Sequence, residues 1–144
     1  MSTQGLTDYA ADKVGNALLN GASLGAPSTW YLALATTAFT NAYTSGSPTG
    51  VEASYTGYAR IALTANTSNF PNASGSVTVS VTNAFVQQFG TNTGSSQTVV
   101  GWGLFDASTN GNLWIMKSFT GVAIGNGIIA QFAVGTFGLQ LISQ

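Results

Sequence analysis

The chain has 144 residues, enough for one domain with a substantial hydrophobic core. Only seven residues are charged, Asp8, Asp12, Lys13, Glu52, Arg60, Asp106 and Lys117, giving a net charge of −1, and there is neither cysteine nor histidine. This balance excludes an electrostatic footprint for nucleic acid or an anionic membrane, excludes disulfides, and removes the usual zinc and copper ligands.

In chain order, MSTQGLTDYAADK carries no basic or apolar leader pattern, so no signal peptide is expected. Residues 1 to 7 read as a polar arm able to reach a neighbour, with Ser2, Thr3 and Gln4 as candidate contacts. One short helix follows. Thr7 suits its N-cap, Asp8 sits where the helix dipole favours a carboxylate, and Asn20-Gly21 closes it. Ala10, Val14, Ala17 and Leu18 then share one face.

Everything later reads as strands. In TWYLALAT (29 to 36), Trp30, Leu32 and Leu34 alternate with Tyr31, Ala33 and Ala35. Residues 37 to 57 form a long loop carrying Tyr43 and Tyr55, both candidate partner contacts. A strand is expected over Tyr58 to Leu63, with Ala59, Ile61 and Leu63 on one face. SVTVSVT (76 to 82) alternates as a half-solvated antiparallel strand, and AFVQQF (84 to 89) continues it past an irregularity at Asn83.

GWGLFDASTNGNLWIMKSF (101 to 119) reads as a hairpin turning at Asn110-Gly111. A two-residue turn places Trp102 and Trp114 on opposite faces of the sheet. Trp102 then joins Leu104, Leu113, Ile115 and Phe119 in the core, and Trp114 becomes a candidate contact residue beside Gly103 and Phe105. The uncharged run GVAIGNGIIAQFAVGTFGL (121 to 139) is long enough to cross a membrane. Its Gly125-Asn126-Gly127 turn signal instead predicts two buried strands, and FGLQLI (137 to 142) is the last strand. The whole reads as a single mainly β domain over residues 1 to 144, an antiparallel β-sandwich or jelly roll with one short N-terminal helix.

Catalysis is not expected. Four carboxylates without histidine or cysteine leave few ways to shuttle a proton near neutral pH. Asp106, ahead of Ser108-Thr109-Asn110-Gly111, suits a turn-fixing role through backbone N–H groups. Arg60 and Lys117 are the available partners for a carboxylate. A sugar site, built from the loop tyrosines or Trp114 with amide side chains, stays open as a less favoured reading.

LTDYAADKVGNALLNG, APSTWYLALATTA, GYAR, GWGLFDASTNGNLW and VAIGNGIIAQFAVGTFGLQL, in that order, resemble small tailed-phage virion structural proteins. These are commonly labelled phage tail fibre proteins, and similar small β-proteins decorate capsids. Asn126 departs from the pattern, where an aspartate is expected. The resemblance implies a non-enzymatic virion component present in many copies, with no cofactor.

Its placement is expected on the capsid surface, as a decoration or cement protein touching the major capsid protein. The lack of the repeats or heptads of a fibre shaft favours this placement, and there the chain is expected to associate with itself as a homo-oligomer, a trimer. The alternatives are a tail or tail-fibre attachment subunit, and a glycan-binding module that recognises the host. Neither nucleic acid nor membrane is expected as a partner.

Overall fold

The computed structural model describes residues 4–40, 51–75 and 78–142. Strand β1 (Gln4–Leu6) leads into α1 (Asp8–Leu19), followed by β2 (Thr29–Ala35) and β3 (Ile61–Thr64). Next come β4 (Thr78–Thr82), β5 (Gln87–Gln88), β6 (Gln97–Phe105), β7 (Leu113–Ile124), β8 (Gln131–Phe132) and β9 (Gly138–Ile142). Five strands form one sheet in the order β1-β7-β6-β2-β3, and β4–β9 and β5–β8 form two separate ribbons. Every pairing is antiparallel.

The ribbons face one side of the large sheet, giving an antiparallel β-sandwich. Leu32, Leu34, Trp102, Leu104 and Ile115 project from the sheet into this main core. Phe137 meets them from the ribbon side, its ring 5.7 Å from both Trp102 and Phe132. The sheet's other face carries a smaller cluster of Ala33, Ala35, Phe39, Phe105, Leu113 and Met116. The alternation expected in TWYLALAT divides these two clusters as strand geometry requires.

The N-terminal arm is partly a strand. Gln4, Gly5 and Leu6 pair with Lys117, Met116 and Ile115, so the backbone of Gln4 belongs to the sheet. Ser2 and Thr3 lie outside the described residues. Thr7 caps α1 as expected, but it is also fully buried, its hydroxyl donating to the Leu113 carbonyl. Thr7 thus ties the helix start to β7. The helix docks through Ala10 and Tyr9. Leu18, expected on its inner face, is 77% exposed, because α1 rests on the sheet only by its first turns.

Two buried asparagines hold the second layer. The Asn83 amide donates to the carbonyls of Phe85 and Ala133 and accepts from the N–H groups of Thr136 and Phe137, all at 2.8–3.1 Å. Asn92 donates to the carbonyls of Ser95 and Ile124 and accepts from the Gly94 N–H. Each side chain uses both its donors and its acceptor, which is how a buried amide avoids a desolvation penalty. The irregularity expected at Asn83 is this node. It also ends the strand early: of AFVQQF only Gln87 and Gln88 pair, while Phe85 and Val86 stand exposed.

The 121–139 run is broken at Gly125–Gly127, where the Ile128 N–H returns to the Gly125 carbonyl. Among the described residues no helix is long and apolar enough to cross a membrane. The two strands expected here are present but only in part buried, since Val122, Ile128 and Ile129 are about half-exposed.

Asn83→Asp tests the nodes. It keeps the shape but sets a carboxylate against the carbonyls of Phe85 and Ala133. Denaturant unfolding is expected to show a loss of at least about 2 kcal/mol.

Candidate functional site

Chemistry-bearing side chains converge at one place, the end of the hairpin loop between β6 and β7. The strands stop short of Asn110-Gly111, and the connection runs seven residues, from Asp106 to Asn112. Asn110 and Gly111 both adopt left-handed backbone, at φ of 55° and 77°, as the Asn-Gly signal anticipates. Asp106 closes the loop. Its carboxylate accepts the Asn112 backbone N–H at 2.7 Å, the Asn112 amide at 2.8 Å and the Trp114 indole N–H at 3.2 Å.

Burial opposes ionisation of Asp106, but these hydrogen bonds, those from Asn112 foremost, outweigh it and hold the carboxyl below its ordinary pKa. Arg60 lies across the same loop. Its guanidinium makes a bidentate pair with Glu52 at 2.8 and 2.7 Å and donates to the carbonyls of Ala107 and Asn110. It also lies 3.9 Å from the centre of the Phe105 ring. The Arg60 side chain is 4% exposed.

Tyr58 completes the group. Its hydroxyl donates to Glu52 at 2.8 Å and accepts the Leu34 N–H at 3.1 Å. Burial first, then the neighbouring Glu52 carboxylate, raises its pKa far above the ordinary range, so it stays protonated. A strand was expected from Tyr58; it starts instead at Ile61, because Tyr58 and Arg60 turn aside to meet Glu52. A cleft of about 310 Å³ lies over this group, bordered by Ser108, Thr109 and Asn110. The chemistry of the group is structural. Arg60 spends its donors on Glu52 and on the loop, and the cluster fastens loop 51–60 to β2 and to the hairpin.

The candidate contact residues fare differently. Trp114 is 4% exposed and belongs to the same core as Trp102. The ladder explains the correction. Leu104 pairs with Ile115 and Phe105 with Leu113, so Trp114 is an extra residue, a β-bulge that re-aims its side chain. The bulge sends Trp114 between Tyr9 and Trp30, edge-on to both at 5.3 and 5.5 Å. It also leaves Leu113 with Phe105 on the opposite face, away from Trp102.

Tyr55 is likewise buried, against Tyr58, so it offers no open contact. Burial raises its pKa. Tyr43 lies outside the described residues. Loop 37–57 is not wholly irregular either. Glu52 bridges to Ala35, and the Ala53 N–H bonds the Leu34 carbonyl. Lys117 faces Gln4 and Trp102 along the ladders; Arg60 takes the carboxylate.

Sequence reading missed the exposed apolar side chains. Phe85, Val86, Val122, Ile128, Ile129 and Val134 are each between 45% and 58% exposed. No local signal marks them, because an apolar residue beside a strand ordinarily signals core.

Two outcomes test the cluster. Arg60→Met leaves the partly buried Glu52 with Tyr58 but without its ion pair and is expected to lower unfolding free energy by up to roughly 3–5 kcal/mol; Arg60→Lys should recover little, lacking the bidentate fork. Asp106 titrates lower when folded than unfolded, so its stabilisation is present above the ordinary carboxylate range and is lost as pH falls below that range and through the lowered folded value. Asp106→Ala should therefore cost roughly 1–3 kcal/mol at neutral pH and progressively less as the pH is lowered below the ordinary carboxylate range, measured by thermal melting across an acid titration.

The family model described as podophage GP4 fiber I protein gp80 matches residues 5–140. No curated protein matches the chain at a significant level.

Proposed function

The chain belongs to the podophage GP4 fiber I protein gp80 family, a family of phage virion structural proteins, and on that premise we propose that it acts by assembly rather than catalysis. The observation that carries the reading is the use made of its ionisable groups. Glu52, Arg60 and Asp106 are consumed in fastening the hairpin loop, and Asp8 sits exposed in the first turn of α1. Apart from Asp8 and Asp12 on α1, the exposed surface of the described residues is made of apolar, hydroxyl and amide groups.

Within the virion, the proposed role is decoration of the capsid surface by many copies, each touching the shell and other copies. A compact sandwich without repeats suits a module seated on a shell better than a self-supporting shaft. Low charge suits dense packing, because repulsion between neighbouring copies stays small and few charges are buried at contacts.

The second reading, a tail or tail-fibre attachment subunit, is favoured by the fibre description of the family itself. Glycan recognition loses two of its three candidate stacking residues, since Trp114 and Tyr55 are buried.

Mass spectrometry of purified particles, followed by cryo-electron microscopy, tests both levels. The protein is expected in the virion, as repeated density on the shell. Density confined to the tail would replace decoration by the second reading, and absence from the particle would overturn the structural role.

A further inference from the structure

The N-terminal unit, β1 and α1, is fastened to the body only at its start. Gln4, Gly5 and Leu6 pair with β7 at the edge of the five-stranded sheet. The Thr7 N–H bonds the Trp114 carbonyl, its hydroxyl bonds the Leu113 carbonyl, and Tyr9 meets the Trp114 ring. Ala10 is the last buried side chain of the unit. From residue 11 to residue 28 no side chain is buried, and residues 23 to 27 make no hydrogen bond among the described residues.

The route out and back is therefore unpacked along its whole length. Tyr9 and Trp30 both meet Trp114, so the start of α1 and the start of β2 lie close together. Between them α1 carries the chain about 14 Å from residue 10 to residue 19, and residues 20–28 make the return. Nine residues reach roughly 30 Å when extended, far enough to lead to the body of a neighbouring copy instead. Exposed leucines gather on this stretch. Leu18 and Leu19 are 77% and 88% exposed at the end of α1, and Leu24 is exposed within the connection.

We propose that neighbouring copies in the assembled state exchange β1 and α1, each completing the sheet edge of the other. The structure itself fixes the occupant of that edge. The β7 surface that receives Leu6, Thr7, Tyr9 and Ala10 is complementary to that sequence, and a second copy carries the same sequence. Exchange of identical elements keeps every one of these contacts and is a low-cost route to a two-fold pair. In such a pair the two connections run past each other. Leu18, Leu19 and Leu24 of one copy then meet those of the other, which gives them an apolar partner that the single copy lacks.

Concentration decides between the two arrangements. A short connection holds the unit at its own sheet with an effective concentration on the order of millimolar. A dilute single chain stays closed, and exchange takes over where copies are packed at comparable density. The inference rests on the virion reading for that density, but it is tested on the purified full chain.

The chain has no cysteine, so an introduced pair reports the connectivity directly. Gly5 and Met116 lie opposite each other in the ladder, a side chain at Gly5 meets open space, and Met116 is buried from chance collision. Copies carrying Gly5→Cys alone and differently tagged copies carrying Met116→Cys alone are refolded together at rising concentration and oxidised. A disulfide joining the two kinds of copy is expected to build up as the protein approaches millimolar concentration. Gly5→Cys should not link to Ser108→Cys, which is exposed but off this ladder. Leu18→Glu with Leu19→Glu should lower the linked fraction several-fold, because like charges then face each other at the crossing.

No link between copies at any concentration would overturn the proposal, as would equal linkage to Ser108→Cys or linkage unchanged by the two glutamates. If Met116→Cys fails to fold, Gln4→Cys and Lys117→Cys, the next pair in the ladder, give the same readout. Particle density joining residues 4–19 to their own β2 would overturn it as well. Absence from the particle would remove the virion reading alone, and the cross-link would still decide exchange.

Discussion

Arg60 is the interaction on which the rest of the sheet depends. A guanidinium with its side chain almost out of water is tolerable only when its donors find acceptors, and here they find Glu52 and the carbonyls of Ala107 and Asn110. Those acceptors come from two separate connections. Filling them joins loop 51–60 to the β6–β7 hairpin, while Tyr58 links the same carboxylate to the backbone of β2. The guanidinium also covers Phe105, closing the smaller core. One ion pair thus fixes two connections against β2, in a chain with only seven charges to use.

The second layer uses neutral groups for the same task. Asn83 and Asn92 sit where a ribbon turns into a loop, and each satisfies backbone groups that a sheet ladder leaves open. A buried amide carries two donors and an acceptor without the desolvation cost of an ion. Rigid loops follow from this arrangement, and with them the fixed display of Phe85, Ile128 and Val134. The layer therefore couples a buried polar network to an apolar outer surface. That coupling suits a protein whose work is to be packed against neighbours.

How much was legible in the sequence depended on the range of the signal. The helix and its Thr7 cap, the alternation in TWYLALAT and the turn-fixing aspartate are written in neighbouring residues, where dihedral preferences and side-chain reach decide the outcome. The Arg60–Glu52 pair was readable only as a possibility. Eight residues separate the two, but their meeting requires Tyr58 and Arg60 to leave the strand line, and the gain from desolvated hydrogen bonds outweighs the lost ladder. Tyr55 sits in a polar loop yet is buried, because that loop is drawn against β2.

The sequence by itself determined the class of the fold, its helix, the place of most strands and the near absence of charge, since these depend on composition and on contacts a few residues apart. The tertiary structure alone decided the face that Trp114 takes. One bulge at Trp114 shifts the ladder by a single residue, and in a strand of period two a single residue reverses the face. It also decided which apolar residues remain outside, because burial depends on what the far segments of the chain cover.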